Sequence, residues 1–202
     1  MSNSDNSKKI ILDLCGGTGS WGRPYKDAGY DYRLITLPEQ DVRYYHPPKG
    51  VYGILAAPPC TEFTAFCLSR KRKYKEALEV VNSCLNIIHE CLIWHYENIG
   101  KNNGGLGGLK FWALENPGGK GTLKYFLGKP AFIFNPCDFG DSYKKETNLW
   151  GIFTNPAPIS QPLFGIQPAY FRVTNGRDGL TRQEVRAITP PGFARAFFEA
   201  NQ

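Results

Sequence analysis

The chain has 202 residues, of which 42% are hydrophobic and 21% charged, so it can form one domain with a substantial core and is not a disordered polypeptide. Its formal net charge is +6, which favours a polyanionic partner such as nucleic acid, although many enzymes are equally basic. No apolar run approaches the ~18 residues that a membrane span requires, so we expect no membrane partner.

The cysteines indicate a reducing compartment. No C-x-x-C pair and no histidine pair at zinc-ligand spacing accompanies them, so we expect no metal site. A chain of this size needs no disulfides for stability, and no signal peptide precedes it, so we interpret the thiols as reduced and the protein as cytoplasmic. The six are Cys15, Cys60, Cys67, Cys84, Cys91 and Cys137.

The first half of the chain predicts strands that alternate with helical segments. Residues 1–8 are polar, and we expect a disordered leader before a single domain over residues 9–202. An apolar run over 10–14 predicts a strand buried on both faces, which ends at the glycine turn "CGGTGS". A short helix ending at Gly29 follows, and then strands over 30–37 and 51–57.

The second half begins with the clearest helix. Apolar residues recur close to a 3.6-residue period over 74–99, and a glycine-rich loop follows. A strand then stops at the "ENP" of residues 115–117, and a further strand pair is predicted around "AFIFNPCDFG" and "NLWGIF". Residues 154–180 show no period, and helical pieces around a Pro-Pro break close the chain. This alternation predicts an α/β fold with a mainly parallel sheet and helices on both faces.

Three polar clusters follow predicted strands, where open α/β sheets bind their ligands. The first covers residues 13–20. Its glycines tolerate positive φ and let a ligand approach the backbone, whose N–H groups can hold a carboxylate or phosphate. The spacing matches neither the dinucleotide nor the P-loop pattern, and a tight structural turn is the alternative interpretation.

The second cluster is Pro58-Pro59-Cys60. Each proline fixes its own φ, and Pro59 also restricts Pro58 to extended conformations, so Cys60 is held in a predetermined direction. A nucleophile needs such placement and a core cysteine does not, although a strand-terminating turn with an incidental cysteine remains the alternative.

The third cluster is Glu115-Asn116-Pro117, at the end of another predicted strand. A lone glutamate in such a place is most often solvated. Beside a rigid cysteine and a glycine loop it becomes a candidate acid.

The segments "DLCGGTGS", "APPCTEF" and "ALENPGG" resemble motifs I, IV and VI of the DNA cytosine-5 methyltransferase family, in the family's order. "CDFGDSYKKETNLW" resembles motif VIII, and "GLTRQEVRAITPPGFARAFFEAN" resembles motifs IX and X run together. The likeness covers most of residues 9–201. It implies a single Rossmann-like, S-adenosylmethionine-dependent methyltransferase domain that methylates C5 of cytosine in DNA.

The resemblance also implies roles for residues. Cys60 attacks C6 of the cytosine, and Glu115 holds or protonates N3. A free thiol is only slightly ionised at neutral pH, so the site should lower its pKa or deprotonate it on attack. By the same resemblance, substrate contacts fall to Pro59, Asn116 and Pro117, and a basic loop after the nucleophile closes over DNA phosphates through Arg70, Lys71, Arg72 and Lys73. A solvated helix start is the alternative interpretation of that basic run.

The cofactor residues implied by the resemblance come from four stretches. Asp41, beside Val42, matches the acid that contacts the adenine amino group, Pro58 packs near the adenine, and Thr189 covers the methionine carboxylate. Leu37 and Pro38 fill the place of the acid that binds the ribose, and Glu39 is a weak substitute for it. The glycine turn contributes Asp13, Leu14, Cys15, Gly16, Gly17, Thr18, Gly19 and Ser20.

Two departures from the family pattern stand out. Motif VIII lacks its arginines, and either Lys144 or Lys145 would have to replace the one that braces the glutamate, although a lysine does not match an arginine fork. The region 154–180 is too short for a separate target-recognition domain. The enzyme, which we expect to be a monomer, then recognises only a short DNA sequence, or a protein partner supplies the recognition. Alternatively, the substrate is a nucleotide, a single strand or RNA. In its compact form the chain resembles phage-encoded methyltransferases, which act in bacterial cells. Two alternatives are the use of a modified cofactor by the same fold and a catalytically inactive DNA-binding module.

Overall fold

The computed structural model describes residues 5–64, 71–100, 108–159, 167–168 and 179–202. Its main sheet has six strands in the order β2-β1-β3-β4-β7-β5, and a two-stranded sheet pairs β6 with β8. The strands are β1 (Ile10–Leu14), β2 (Asp31–Ile35), β3 (Val51–Ala56), β4 (Phe111–Pro117), β5 (Phe132–Phe134), β6 (Tyr143–Lys144), β7 (Thr147–Ile152) and β8 (Gln167–Pro168). The helices are α1 (Arg23–Asp27), α2 (Tyr74–Asn98), α3 (Lys124–Leu127), α4 (Arg182–Ala187) and α5 (Pro191–Ala200).

The predicted α/β class and the mostly parallel sheet are confirmed, with one strand reversed. β2, β1, β3 and β4 are mutually parallel, whereas β7 runs antiparallel to both β4 and β5. The expected pairing of the two strands around residues 131–140 and 148–153 is present as the β5–β7 ladder. Because β7 runs antiparallel to both of its neighbours, the sheet is mixed rather than purely parallel.

Both faces of the sheet are covered, as the continuous apolar run of β1 predicts. All five residues of β1 are buried. Long helix α2 packs on one face through Val81, Cys84 and Ile88, which join a cluster with alternate strand residues such as Leu12. On the other face, α1 and α5 enclose an aromatic cluster in which the rings of Phe134 and Phe193 stack 3.8 Å apart.

Two expectations concern segments at the margins of the fold. Residues 1–4 of the predicted leader lie outside the described residues, while Asn6–Lys8 form a short 3-10 helix that Asp5 caps and that bonds to the carbonyl of Ala28. In the irregular region 154–180, residues 167–168 form the short strand β8, and most of the rest lies outside the described residues.

Helix α2 ends within one residue of the predicted range 74–99. Among the described residues, five cysteines are free thiols, and Cys67 lies outside them. The five are Cys15, Cys60, Cys84, Cys91 and Cys137. Across the described ranges, no helix combines the length and the hydropathy needed to cross a bilayer. Nor do these ranges bring three or more histidine, cysteine, aspartate or glutamate side chains together as a metal site.

Candidate active site

The candidate site lies where the strand order reverses. β1 has β2 on one side and β3 on the other, and such a switch point opens a crevice at the carboxyl ends of the strands. The backbone ladder continues past the strands, because Cys15 N–H donates to the Ile35 carbonyl at 2.7 Å and Ala57 N–H donates to the Leu14 carbonyl at 2.9 Å. The glycine turn after β1 and the Pro-Pro-Cys segment after β3 therefore leave the sheet side by side.

The glycine turn is shaped by positive φ angles and by close packing. Cys15, Gly17 and Gly19 have φ of 57°, 55° and 70°, a region that non-glycine residues rarely adopt. A Cβ at Gly16 would lie 2.3 Å from Oδ1 of Asp13, whereas a Cβ at Gly17 would meet no atom within 4 Å. Gly16 therefore faces the protein, and Gly17 faces open space in which a ligand can approach the backbone.

Asp13 is a buried acid beneath this turn. Its Oδ2 accepts a hydrogen bond from the Tyr32 hydroxyl at 2.7 Å, and its Oδ1 has no partner in the described part of the chain. Burial raises the pKa of Asp13 to about 6, against the lowering effect of the Tyr32 hydroxyl and the Gly22 backbone. This buried oxygen is free to accept a hydrogen bond from a donor outside the described part of the chain.

The carboxyl-terminal segment closes against the turn. Thr189 N–H donates to Oγ of Ser20 at 2.8 Å, so the segment between α4 and α5 is tied to the end of the glycine turn. These two residues are 169 positions apart in the chain, and the resemblance assigns both to the cofactor. The structure therefore brings together the two ends of the predicted cofactor site.

The residues after β2 are arranged differently. Asp41 caps a short 3-10 helix over Val42–Tyr44 and forms an ion pair with Arg43, with Nη2 2.5 Å from Oδ2. Its carboxylate is thus already engaged, and contact with an adenine amino group would have to share it. Val42 is buried and Glu39 is exposed.

Cys60 is fixed by contacts on both sides of the Pro-Pro segment. Nδ2 of buried Asn116 donates to the carbonyl of Pro58 at 3.1 Å, which ties the end of β4 to the segment that precedes Cys60. After the cysteine, the N–H groups of Phe63 and Thr64 both donate to the Cys60 carbonyl at 2.9 Å. The thiol therefore projects from a turn that is anchored before and after it.

Charged groups from three other segments act on this thiol. Burial and, next, the carboxyl group of Glu115 raise the pKa of Cys60, while Lys145 and Arg186 lower it. Burial also raises the pKa of Glu115, and Lys145 opposes that shift. A thiol with a raised pKa rests protonated, so of the two routes to a thiolate, the structure favours deprotonation on attack. Glu115 with a raised pKa is suited to hold or donate a proton.

Lys145 is the lysine that faces the site. It acts on the titration of both Cys60 and Glu115, and its Nζ donates to the carbonyl of Arg186 at 3.1 Å. The neighbouring Lys144 instead acts on Cys137, since alternate side chains point to opposite sides of an extended segment. Of the two lysines, Lys145 is therefore the one that lies near both Cys60 and Glu115.

The basic run after Cys60 lies only partly within the described residues. Arg70 lies outside the described residues, and Lys71 is exposed. The guanidinium of Arg72 donates to the carbonyl of Glu62, and Lys73 pairs with Glu76 at 3.2 Å. Arg72 therefore packs back onto the segment that carries Cys60, and its availability to a phosphate is reduced.

Sequence reasoning missed two residues of the site. Tyr32 reaches Asp13 because parallel pairing sets it opposite Ile11, on the same face of the sheet as Asp13. Arg186, on α4, influences Cys60 from a segment more than a hundred residues away. Neither has a local sequence signal, because each depends on strand register or on long-range packing.

Comparison with known proteins gives no family for this chain. No protein-family model matches it, and no curated protein is significantly similar to it.

Proposed function

We propose that the protein is an S-adenosylmethionine-dependent DNA cytosine-5 methyltransferase with a Rossmann-like catalytic domain. The observation that carries the proposal is the meeting of Cys60, Glu115 and Lys145 at one sheet edge, next to a glycine turn above a buried carboxylate with one oxygen unpaired among the described residues. A turn with an incidental cysteine would not gather an acid and a cation from two other segments around the thiol.

The residues fit a covalent mechanism on a pyrimidine ring. The Cys60 thiol gives up its proton to a water molecule as its sulfur adds to C6, and the ring electrons move toward N3, where the protonated Glu115 carboxyl donates or shares its proton. Lys145 stabilises negative charge that develops on the thiolate and on Glu115. C5 becomes nucleophilic in this adduct, and after methylation a base removes the C5 proton as the bond between sulfur and C6 breaks.

The glycine turn fits the cofactor on two counts. Gly17 leaves open space beside bare backbone, and Oδ1 of Asp13 offers an acceptor to a donor group such as an ammonium. Ser20 and Thr189 are positioned to enclose the amino-acid end. When bound there, S-adenosylmethionine supplies an electrophilic methyl group.

Duplex DNA is the substrate that we favour, with a monomeric enzyme in a bacterial cytoplasm. The net charge of +6 and the basic run with Lys71 and Lys73 suit a polyanion. A cytosine inside a duplex must be flipped out to reach the half-buried Cys60 thiol. The short region 154–180 implies a target of few bases or a protein partner that supplies recognition.

The test is methyl transfer from labelled S-adenosylmethionine to unmethylated duplex DNA, with 5-methylcytosine mapped at base resolution. We expect methylation in a context of a few bases, and no incorporation into a duplex whose cytosines are already methylated at C5. Methyl transfer only to single strands, nucleotides or RNA would show that duplex DNA is not the substrate. Cofactor binding without transfer to any cytosine would support a DNA-binding module, and absence of cofactor binding would direct the search to a modified cofactor.

A further inference from the structure

We infer that Tyr32 is a positioning residue of the cofactor site, whose hydroxyl orients the Asp13 carboxylate so that its free oxygen accepts a hydrogen bond from a ligand ammonium group. This inference rests on the proposed function and deepens it. It adds a residue of β2 that neither the sequence motifs nor the resemblance indicates.

The first support is the packing around the tyrosine ring. A Cβ at Gly22 would lie 2.0 Å from Cε2 of Tyr32, and a Cβ at Gly19 would lie 2.9 Å from its hydroxyl oxygen. The ring therefore fills space that two glycines leave open beneath the turn. This packing fixes the ring, so that its hydroxyl is held against one oxygen of Asp13.

The second support is the asymmetry of the Asp13 carboxylate. Oδ2 accepts from the Tyr32 hydroxyl at 2.7 Å, and Oδ1, equally buried, has no partner within the described ranges. Leaving a buried charged acceptor unpaired is costly, so an unpaired oxygen at a glycine turn indicates a donor that arrives with a ligand.

The ligand group is a cation, because the carboxylate needs a charge partner as well as a donor. Asp13 faces the neutral hydroxyl of Tyr32 from β2 and the backbone of Gly22, and these two oppose the effect of burial on its pKa. The α-ammonium of an amino-acid moiety supplies both charge and donor. Without the tyrosine hydroxyl, Asp13 would lose a bond that favours its charged form and fixes its orientation.

The test is calorimetric binding of S-adenosylmethionine and of its analogue without the α-amino group, to wild type and to Tyr32→Phe. The phenylalanine keeps the ring and removes only the hydroxyl. Tyr52→Phe is the matched control, because it removes the hydroxyl of another half-buried tyrosine. Tyr52 lies near the amino end of β3, away from the glycine turn, where the Lys9 ammonium lies 5.0 Å from its ring. Melting temperatures of the free proteins show that each variant folds.

We expect wild type to bind the deaminated analogue about tenfold or more weakly than the cofactor, since a hydrogen bond to a charged group is worth about 1.5–3 kcal/mol. In Tyr32→Phe the cofactor should lose most of this advantage while the analogue binds as before, and Tyr52→Phe should match wild type. Equal weakening of both ligands by Tyr32→Phe, or no weakening, would overturn the inference alone. Failure of wild type to bind either ligand would overturn the proposed function and the inference with it.

Discussion

The glycine turn and the turn that carries Cys60 lie next to each other at one edge of the sheet, yet they are held in different ways. The glycine turn is held by steric fit, because a Cβ at Gly16 would lie 2.3 Å from the Asp13 carboxylate. The Cys60 turn is held by hydrogen bonds and charges from distant segments, such as the bond from Asn116 to the Pro58 carbonyl and the proximity of Lys145.

The difference indicates which changes each region should tolerate. A site held by packing responds to added volume, whereas a site held by charge responds to the loss or transfer of a proton. Volume changes should therefore affect cofactor binding, and charge changes should affect the rate of the chemical step.

The largest effect should follow Cys60→Ser. We expect transfer to fall at least about a thousandfold, because the hydroxyl is a far weaker nucleophile, while cofactor affinity stays the same. Radiolabel transfer and calorimetry measure the two quantities. Cys91→Ser, at a buried position of helix α2, is the control for loss of a thiol. A variant with serine at position 60 that kept substantial activity would contradict the covalent mechanism.

Glu115→Gln should reduce kcat by roughly two to three orders of magnitude, since general acid catalysis contributes about that much, with only a modest loss of DNA binding. The raised pKa of Glu115 keeps its proton to higher pH than usual, so the wild-type rate should fall as the pH rises through that pKa. This fall should be absent in the variant. Single-turnover rates across the pH range test it, with exposed Glu79→Gln on α2 as control.

Substitutions at two glycines distinguish the face of the turn that packs on the protein from the face that is open to a ligand. Gly16→Ala should lower the melting temperature of the free protein and abolish cofactor binding, because its Cβ would displace the Asp13 carboxylate. Gly17→Val should also lose the cofactor, by filling the open space beside the turn. The protein interior is untouched by that change, so the strain at φ 55° should cost only about 1–2 kcal/mol of stability. Equal destabilisation of the free protein by both changes would contradict the assignment of the two faces.

Lys145→Met should lower kcat about tenfold or more and raise the pKa values of Cys60 and Glu115 further, since the lysine opposes both shifts. Lys145→Arg should retain more activity, because an arginine restores the positive charge and the forked donor of the family pattern. Lys144→Met is the neighbouring control. An equal loss from Lys144→Met and Lys145→Met would mean that Lys145 has no special place in the site.

Stability should also depend on pH. Burial raises the pKa of Asp13 to about 6, so the folded protein binds this proton more tightly than the unfolded chain. The free energy of unfolding should therefore decrease by up to about 3 kcal/mol as the pH rises from about 4 to about 6. Urea unfolding at several pH values should show this loss in wild type and a much smaller one in Asp13→Asn. A wild-type curve without the loss would contradict the raised pKa.

Much of the arrangement could be predicted from sequence, because parallel strands bring their carboxyl ends to one edge. The burial of β1, the length of α2 and the meeting of the glycine turn with Cys60 follow from local patterns. The reversal of β7, the contact of Tyr32 with Asp13 and the placing of Arg186 do not. They depend on strand direction, on register and on which turn of a distant helix reaches the site, and no short stretch of sequence encodes these.

The central claim, a covalent bond between Cys60 and C6 of cytosine, is tested most directly by trapping on duplex DNA that contains 5-fluorocytosine in the presence of S-adenosylmethionine. Fluorine at C5 cannot be removed as a proton is, so the adduct should persist, and mass spectrometry should locate the DNA on the peptide that carries Cys60. Cys60→Ser should give no adduct. A wild-type enzyme that methylates cytosine but leaves no adduct on Cys60, or that carries the adduct on another residue, would contradict the account.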